Sequence, residues 1–410
     1  MPDFRSQGEG PLRGVRVIDM TTSYAGPTAA MYLADLGADV VKVERSGGDD
    51  TRTWGPPFVD GASAWFASAN RNKRSVTVDA RSDRGREVLH RMLDGADVLL
   101  VNVSPAKLSS LGLGPDTVRE RWPRLIYCVL SGFGIDGPDH ARPGYDLAAQ
   151  ARSGLMSVTG ARGGPPQRVS TALSDVATGM CAALAICAAA VRQVVDGTGE
   201  VIDVSLLDTD LALMAPRIAS YLAGDPEPAP SGGTDSVLAV YQAFPTADRQ
   251  IVVAIGNDAM WRRFAVAIGR PDLAERTELA DNQGRREHRP TLLPEIEQRL
   301  AQGTAEQWMA TLAVAGVPCS LVQSLSEVVA DEQVLSRQSI LAVPGSAGAL
   351  NGVRSPFRLR SLPVRNDRFP DLGADTRSVL TELEYSEGEI DRLVDDGVVS
   401  DNLARGGIHD

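Results

Sequence analysis

Val15-Arg-Val-Ile-Asp-Met20 is a short apolar run that passes through Thr21-Thr-Ser-Tyr-Ala-Gly26 and Pro27 into Thr28–Leu36, Gly37 and then Asp39-Val-Val-Lys-Val-Glu44. The first run reads as a strand. Proline suits the first position of a helix, where its missing N–H has no intrahelical partner anyway. Ala, Met and Leu fill that helix until Gly37 stops it. Asp39–Glu44 is then a second strand, and residues 15–44 predict a βαβ unit, from which parallel sheets are built.

The alternation continues outward from this unit. A helix is expected over Gly85–Leu93 and strands over Asp97–Val103 and Leu125–Leu130, the latter running into the turn Ser131-Gly-Phe-Gly-Ile-Asp-Gly-Pro138. A helix from Asp175 to about Val194 precedes a strand at Glu200–Ser205. Strands separated by helices predict an α/β fold with a doubly wound, Rossmann-like large domain. The texture changes at Asp225-Pro-Glu-Pro-Ala-Pro-Ser-Gly-Gly233, a proline-stiffened connection. Val237–Phe244 and Gln250–Ile255 then read as a hairpin, and helices follow at Ala259–Ala267, Thr291–Ala301 and Ala305–Ala315. The expected division is 1–205 for the N-terminal part of the large domain, 206–224 for a linker and 225–318 for a smaller α+β domain. Residues 319–410 return to the large domain, and 410 residues are more than one compact core needs.

A net charge of −12 argues against a nucleic-acid partner, whose footprint is a basic face. Of 41 cationic side chains only three are lysines (Lys42, Lys73 and Lys107), all in the first third of the chain. The opening residues hold no apolar run fit for a signal sequence. Val176–Val191 is mostly alanine, broken by Thr178 and Gly179, and shorter than the roughly 20 apolar residues of a membrane span. A buried helix and no membrane contact are expected there. The cysteines (Cys128, Cys181, Cys187, Cys319) form no CxxC or zinc spacing, and the histidines (His90, His140, His288, His409) are scattered. The expectation is a cytoplasmic protein without a metal site.

No GxGxxG follows the first strand, and the chain has neither a Walker loop nor a GxSxG elbow. The informative stretch is Arg168-Val-Ser-Thr-Ala-Leu-Ser-Asp175-Val-Ala-Thr-Gly179. Asp175 opens a helix of small residues. On its own such a carboxylate reads first as a helix cap. The functional alternative is a nucleophile at the helix N-terminus, with Gly179 marking a close backbone approach.

Taken together, these stretches resemble the family III CoA-transferases (the CaiB/BaiF family), which include formyl-CoA transferase, carnitine CoA-transferase and the α-methylacyl-CoA racemases. The resemblance runs through Pro11-Leu-Arg-Gly-Val-Arg-Val-Ile-Asp19, Ala25-Gly-Pro27, Leu36-Gly-Ala-Asp-Val-Val-Lys-Val-Glu-Arg45 and Asn72-Lys-Arg-Ser75. It continues in Gly132-Phe-Gly134, Arg142-Pro-Gly-Tyr-Asp146, Ser174-Asp175, Gly316-Val-Pro-Cys319 and Leu372-Gly-Ala-Asp-Thr376. It implies a CoA-transferase in which Asp175 attacks an acyl-CoA donor. An aspartyl anhydride and an aspartyl-CoA thioester then carry CoA to a carboxylic acid acceptor. Coenzyme A enters as substrate, with no permanently bound cofactor. An interlocked homodimer is also implied.

The resemblance places CoA contacts at Tyr24, Ala25, Arg45, Val78, Ala80, Arg81, Asn102, Ser104, Tyr145 and Asp146, with Lys107 as a further candidate. Ser110 and Pro143 stand where formyl-CoA transferase has cations, and Lys107 or Arg142 are the available replacements. The Asn72-Lys73-Arg74 stretch is read as a loop of structural role, and Gly232-Gly233 as a turn. Two other readings share the fold. A racemase needs a His/Asp pair for the α-proton, but Tyr145 fills the histidine position, and tyrosine ordinarily ionises only near pH 10. A non-catalytic CoA-binding homologue would also retain Asp175 if it served only as a cap.

Overall fold

A computed structural model describes residues 9–59, 61–346 and 348–401. His409 and the outermost ends of the sequence-defined segments lie outside the described residues. Fourteen strands occur among them. The first eight are β1 (Arg16–Asp19), β2 (Asp39–Glu44), β3 (Phe58–Val59), β4 (Ala62–Ser63), β5 (Lys73–Val78), β6 (Val98–Val101), β7 (Ile126–Ser131) and β8 (Val201–Ser205). The others are β9 (Tyr241–Pro245), β10 (Gln250–Ala254), β11 (Cys319–Leu321), β12 (Ile340–Gly345), β13 (Gly348–Val353) and β14 (Val399–Ser400).

Seven of them form one sheet in the order β14-β5-β2-β1-β6-β7-β8. Every neighbouring pair is parallel except β14–β5. The predicted βαβ unit stands, with its helix at Ala25–Asp35. Pro27 is that helix's third residue instead of its first, still within the turn whose N–H groups lack intrahelical partners. β6 and most of β7 are buried on both faces, as the runs Val-Leu-Leu-Val and Ile-Tyr-Cys-Val-Leu require. One core layer packs Leu89, Met92, Leu99 and Tyr127, and the other packs Leu33, Leu100, Ile126 and Ile186.

The structure corrects two expectations. Lys73-Arg-Ser-Val-Thr-Val78 is an inner strand and not a loop, because its charged side chains find carboxylates: Lys73 meets Asp19, and Arg74 meets Asp39 and Glu382. The helix Leu173–Asp196 is only partly buried. Leu184, Val191, Val194 and Val195 are 68–85% exposed, whereas Ala182 and Ile186 sit in the core. It is also the one helix among the described residues long and apolar enough to cross a membrane by length and composition.

The chain divides into two compact units. One comprises 1–153, 169–213 and 333–410, and the other 154–168 and 214–332. Residues 206–224 are two helices, Leu206–Leu213 and Ala215–Leu222, not an extended linker, and the division falls between them. The second unit holds the predicted hairpin β9–β10, joined by β11, under the helices Asp258–Ala267, Arg289–Leu300 and Ala305–Val314. Segment 154–168 belongs to it because Gly232 N–H donates to Gly160 O and Arg162 donates to Thr234.

Candidate active site

Parallel strands bring their carboxyl ends to one edge of the sheet. From β1 the chain proceeds outward to β2 and β5, then returns to lay β6, β7 and β8 on the other side of β1. The loops after β1 and β6 therefore part at a topological switch point, the customary crevice for a ligand in such sheets. Two hydrogen bonds of one side-chain amide join the loops across it. Thr22 N–H donates to Asn102 Oδ1 at 3.0 Å, and Asn102 Nδ2 donates to Thr22 O at 2.8 Å. Asn102, expected as a CoA contact, thus holds the β1 turn against the loop after β6.

Buried charge supports the same turn from beneath. Lys42 Nζ donates to Thr21 O at 2.8 Å and to Asp49 Oδ2 at 2.9 Å. The other oxygen of Asp49 accepts the N–H of Ser23, whose φ of 68° is a left-handed conformation rare outside glycine. Lys73 Nζ donates to Asp19 Oδ2, Pro27 O and Asn70 Oδ1, all within 2.9 Å. Burial opposes ionisation of Asp19, but Lys73 and Lys42 outweigh it and hold the carboxyl below its usual range. Burial draws Lys73 down to about 8 against the pull of Asp19, and Lys42 adds repulsion. Two of the three lysines are therefore internal struts of the first βα turn. Lys107 alone is exposed.

Asp175 is the third residue of the helix Leu173–Asp196. It does not cap that helix. Asp146 does so, its Oδ1 accepting Ser174 N–H at 2.8 Å and Asp175 N–H at 3.3 Å, while its Oδ2 accepts Gln150 Nε2. The Asp175 carboxylate makes no hydrogen bond to a described residue and faces a cavity of about 310 Å³. Burial, then the charges of Asp146 and Asp210, push it up to about 7. Asp210 carried no signal in the sequence. It is fully buried on the Leu206–Leu213 helix, accepts Ser174 Oγ at 2.9 Å, and leaves Oδ1 without a partner.

Glycine sets this geometry at two places. A Cβ on Gly179 would lie 2.7 Å from Ala25 O and 2.9 Å from Thr28 Cβ. The close approach inferred from the sequence is made by the first helix and not by a ligand, and it brings Asp175 beside the β1 turn. Gly132 and Gly144 face each other, so a Cβ on either would fall within 2.6 Å of the other's Cα. That contact closes the loop between β7 and Tyr145. Gly179→Ala should destabilise the protein by about 1–3 kcal/mol, the usual cost of overpacking, measured by denaturant titration. An unchanged midpoint would show that the two helices have slack there.

Of the sequence-derived residues, Ala25, Asn102, Ser104, Tyr145 and Asp175 line this one cavity, together with Ser23, His140, Arg142, Pro143 and Thr178. Arg142, a proposed replacement cation, is there, paired with Asp139 at 2.9 Å. The remaining candidates lie off this wall. Tyr24 packs edge-on to Trp65 and shares a hydrogen bond with Ser68. Arg45 bonds Gly48 O and pairs with Asp50, and Arg81 pairs with Asp79. The Val78 side chain is in the core, Ala80 packs against it, and both oxygens of Asp146 are spent on the helix and Gln150. Arg45, Val78–Arg81 and Asn102–Ser104 nevertheless flank or directly follow the carboxyl ends of β2, β5 and β6, along the edge where the cavity opens. His140 lines the cavity as well, and its Nδ1 is engaged by Gly137 O at 2.9 Å.

Comparison with known proteins gives this geometry a context. A family model described as CoA-transferase family III matches residues 12–376. The succinyl-CoA:glutarate CoA-transferase of Mus musculus is 37% identical over 399 residues, 95% of this chain and 90% of that protein. The succinate–glutarate CoA-transferase of Agrobacterium fabrum is 36% identical, covering 92% and 96%. A crystal structure of a CaiB/BaiF family protein from Brucella suis superposes with a TM-score of 0.80 at 34% identity, covering 91% of this chain and 99% of that one. With the family model spanning most of the chain and relatives this similar along nearly their whole length, the chain belongs to CoA-transferase family III.

Proposed function

We propose that this enzyme transfers CoA between carboxylic acids with Asp175 as the covalent nucleophile. The observation that carries the reading is a carboxylate with no hydrogen bond among the described residues, on the wall of a cavity at the switch-point edge of the sheet. Asp175 Oδ attacks the donor thioester carbonyl. A C–O bond forms, the C–S bond breaks, and CoA leaves as thiolate. The thiolate then attacks the aspartyl carbonyl of the anhydride, which releases the donor acid and leaves an aspartyl-CoA thioester. The acceptor carboxylate displaces CoA from that thioester to form a second anhydride. The returning thiolate attacks the acceptor's carbonyl, giving the new acyl-CoA and free Asp175. Each step trades one activated carboxyl for another, so holding the partners together supplies most of what catalysis needs.

Relatives named for succinyl-CoA with glutarate, and for oxalate, support short dicarboxylic acids as the acids exchanged here. Arg142 on the cavity wall, now paired with Asp139, is the cation that would meet the distal carboxylate in this reading. The test is to incubate the protein with succinyl-CoA, quench with hydroxylamine or borohydride, and map the adduct by peptide mass spectrometry. A hydroxamate or alcohol at Asp175 is expected. Turnover of glutarate with Asp175 unmodified would refute the mechanism. Hydrogen–deuterium exchange at Cα without CoA transfer would point instead to His140 and a racemase.

The homodimer also belongs to this reading. The uncovered stripe of Leu184, Val191 and Val195 on the Leu173–Asp196 helix supports it, because single-chain proteins rarely leave such a row open. Sedimentation equilibrium should give twice the 43.5 kDa chain mass, unchanged on dilution into the nanomolar range. A species of single-chain mass would refute it.

A further inference from the structure

A second cavity, of about 580 Å³, opens in the same unit between the end of the first helix at Asp35–Leu36 and the segment 354–365. It shares no wall residue with the cavity at Asp175. Five arginines line it: Arg337, Arg354, Arg358, Arg360 and Arg365. In a protein of net charge −12 such a concentration stands out, and its bonding is incomplete. Arg365 is engaged by Asp367 and two backbone carbonyls. Among the described residues, Arg337, Arg354, Arg358 and Arg360 form no ion pair.

Arg354 is the informative member. Its residue is 8% exposed, and its Nε and Nη1 are buried with no hydrogen-bond partner among the described residues. A buried guanidinium with two idle donors is costly unless something accepts from it. Burial, then Arg358 and Arg337 nearby, depress its proton affinity. The carboxylates on the wall do not relieve this. Asp35 is held by Arg71, Asn72 and Ser355, and Glu9 is exposed.

We infer that this cavity is a binding site for a small polyanion bearing phosphate groups, with Arg354 as its most buried cation. The planar guanidinium fork fits phosphate oxygens in pairs. Arg337, Arg358 and Arg360 supply the surrounding charge for a ligand of several negative charges. The volume exceeds the need of one phosphate and lies in the range of nucleotide-sized sites. Phe357, 38% exposed on the same wall, offers a flat apolar face beside the cations. The inference does not depend on the chemistry at Asp175.

The test is isothermal titration of the full-length protein at low salt with inorganic pyrophosphate and, in a second arm, ATP. Both arms are run on wild type, Arg354→Met and Arg354→Lys. Pyrophosphate should bind wild type and weaken steeply with added salt. Arg354→Met should lose about tenfold or more in affinity, and Arg354→Lys should recover only part, since it restores charge without the fork. Tighter binding of ATP than of pyrophosphate would assign the Phe357 face to a base, whereas equal binding would assign the site to phosphate alone. Should Arg354→Met fail to fold, Arg358→Gln with Arg360→Gln, both on exposed residues, carries the same expectation. No pyrophosphate binding by wild type, or equal binding by all variants, overturns the inference. So does a variant that binds nothing new but shifts the sedimenting mass, which would make the arginines a contact between chains.

Discussion

Asp175→Asn is expected to lower the rate of CoA transfer by at least about a thousandfold while leaving donor binding nearly intact. The amide is isosteric but cannot form the anhydride, and loss of a covalent nucleophile is among the largest single-residue effects known in enzymes. Steady-state kinetics with succinyl-CoA and glutarate, with the donor Kd measured separately, check both halves. In the wild type only ionised Asp175 attacks. With its carboxyl pushed up to about 7 by burial and by Asp146 and Asp210, the rate should rise about tenfold between pH 6 and 8 and then level. Asp210→Asn removes one of the repelling charges and should move that rise to lower pH. A flat profile from pH 5 to 8 would mean that Asp175 is fully ionised throughout.

The same displacement predicts an effect on stability, and its sign is opposite to that on activity. Well below pH 3.8 Asp175 is protonated in folded and unfolded chains alike, so it favours neither. Between pH 4 and 7 the unfolded chain, with its ordinary carboxylate value of 3.8, ionises first, and the folded state loses ground. Above pH 7 the full penalty is present. Asp175→Asn removes it and should stabilise the protein by about 2 kcal/mol at pH 8, a figure reduced for partial solvent access. The gain should shrink as the pH falls and vanish well below pH 3.8. A nucleophile kept poorly solvated destabilises the fold that holds it, which is the usual trade at active sites.

The reach of sequence reasoning here follows from how each residue works. The βαβ unit at 15–44 was legible because its strands are apolar and its helix is bounded by a turn and a glycine. β5 was not, because Lys73-Arg-Ser-Val-Thr-Val78 has the polarity of a loop until Asp19, Asp39 and Glu382, all remote in sequence, neutralise it. Asp175 was found through resemblance, yet its freedom from a capping role needed the fold, since the cap is Asp146, 29 residues earlier. Asp210 had no local pattern, and only the packing of its helix under Ser174 brings it to the site. Gly179 signals a close approach in the sequence without saying what approaches, and the fold supplies the first helix. Periodicity reports which face is apolar, not what covers it. The same limit applies to the Leu173–Asp196 helix, whose outer face stays open in the single chain.

The scarcity of lysine turns out to matter through Lys42 and Lys73, whose ammonium groups touch no solvent. Their bonds converge on the backbone of the β1 turn: Lys42 on Thr21 O, Lys73 on Pro27 O. Arginine would not fit either place, because a planar fork cannot aim donors from one compact centre at a carboxylate and a backbone carbonyl, with the Asn70 amide oxygen as well for Lys73. Lys73→Met strands the buried Asp19 carboxylate, and removing one partner of a buried pair costs about 3–5 kcal/mol. That is enough to lower the soluble yield and the midpoint of denaturation sharply. Pairing it with Asp19→Asn should recover part of the loss, since the charge left behind is then gone. Lys42→Met keeps the Lys73 strut, strands the equally buried Asp49 carboxylate at a similar cost in stability, and releases the Thr21 end of the turn. Its expected signature is a KM for the CoA donor raised about tenfold, with kcat little changed, because Asp175 stands on a separate helix that this lysine does not touch. Equal losses in kcat and kcat/KM would instead tie the turn to the reacting carboxylate. A Lys42→Met protein with wild-type KM would show that Asn102 and Asp49 hold the turn without it.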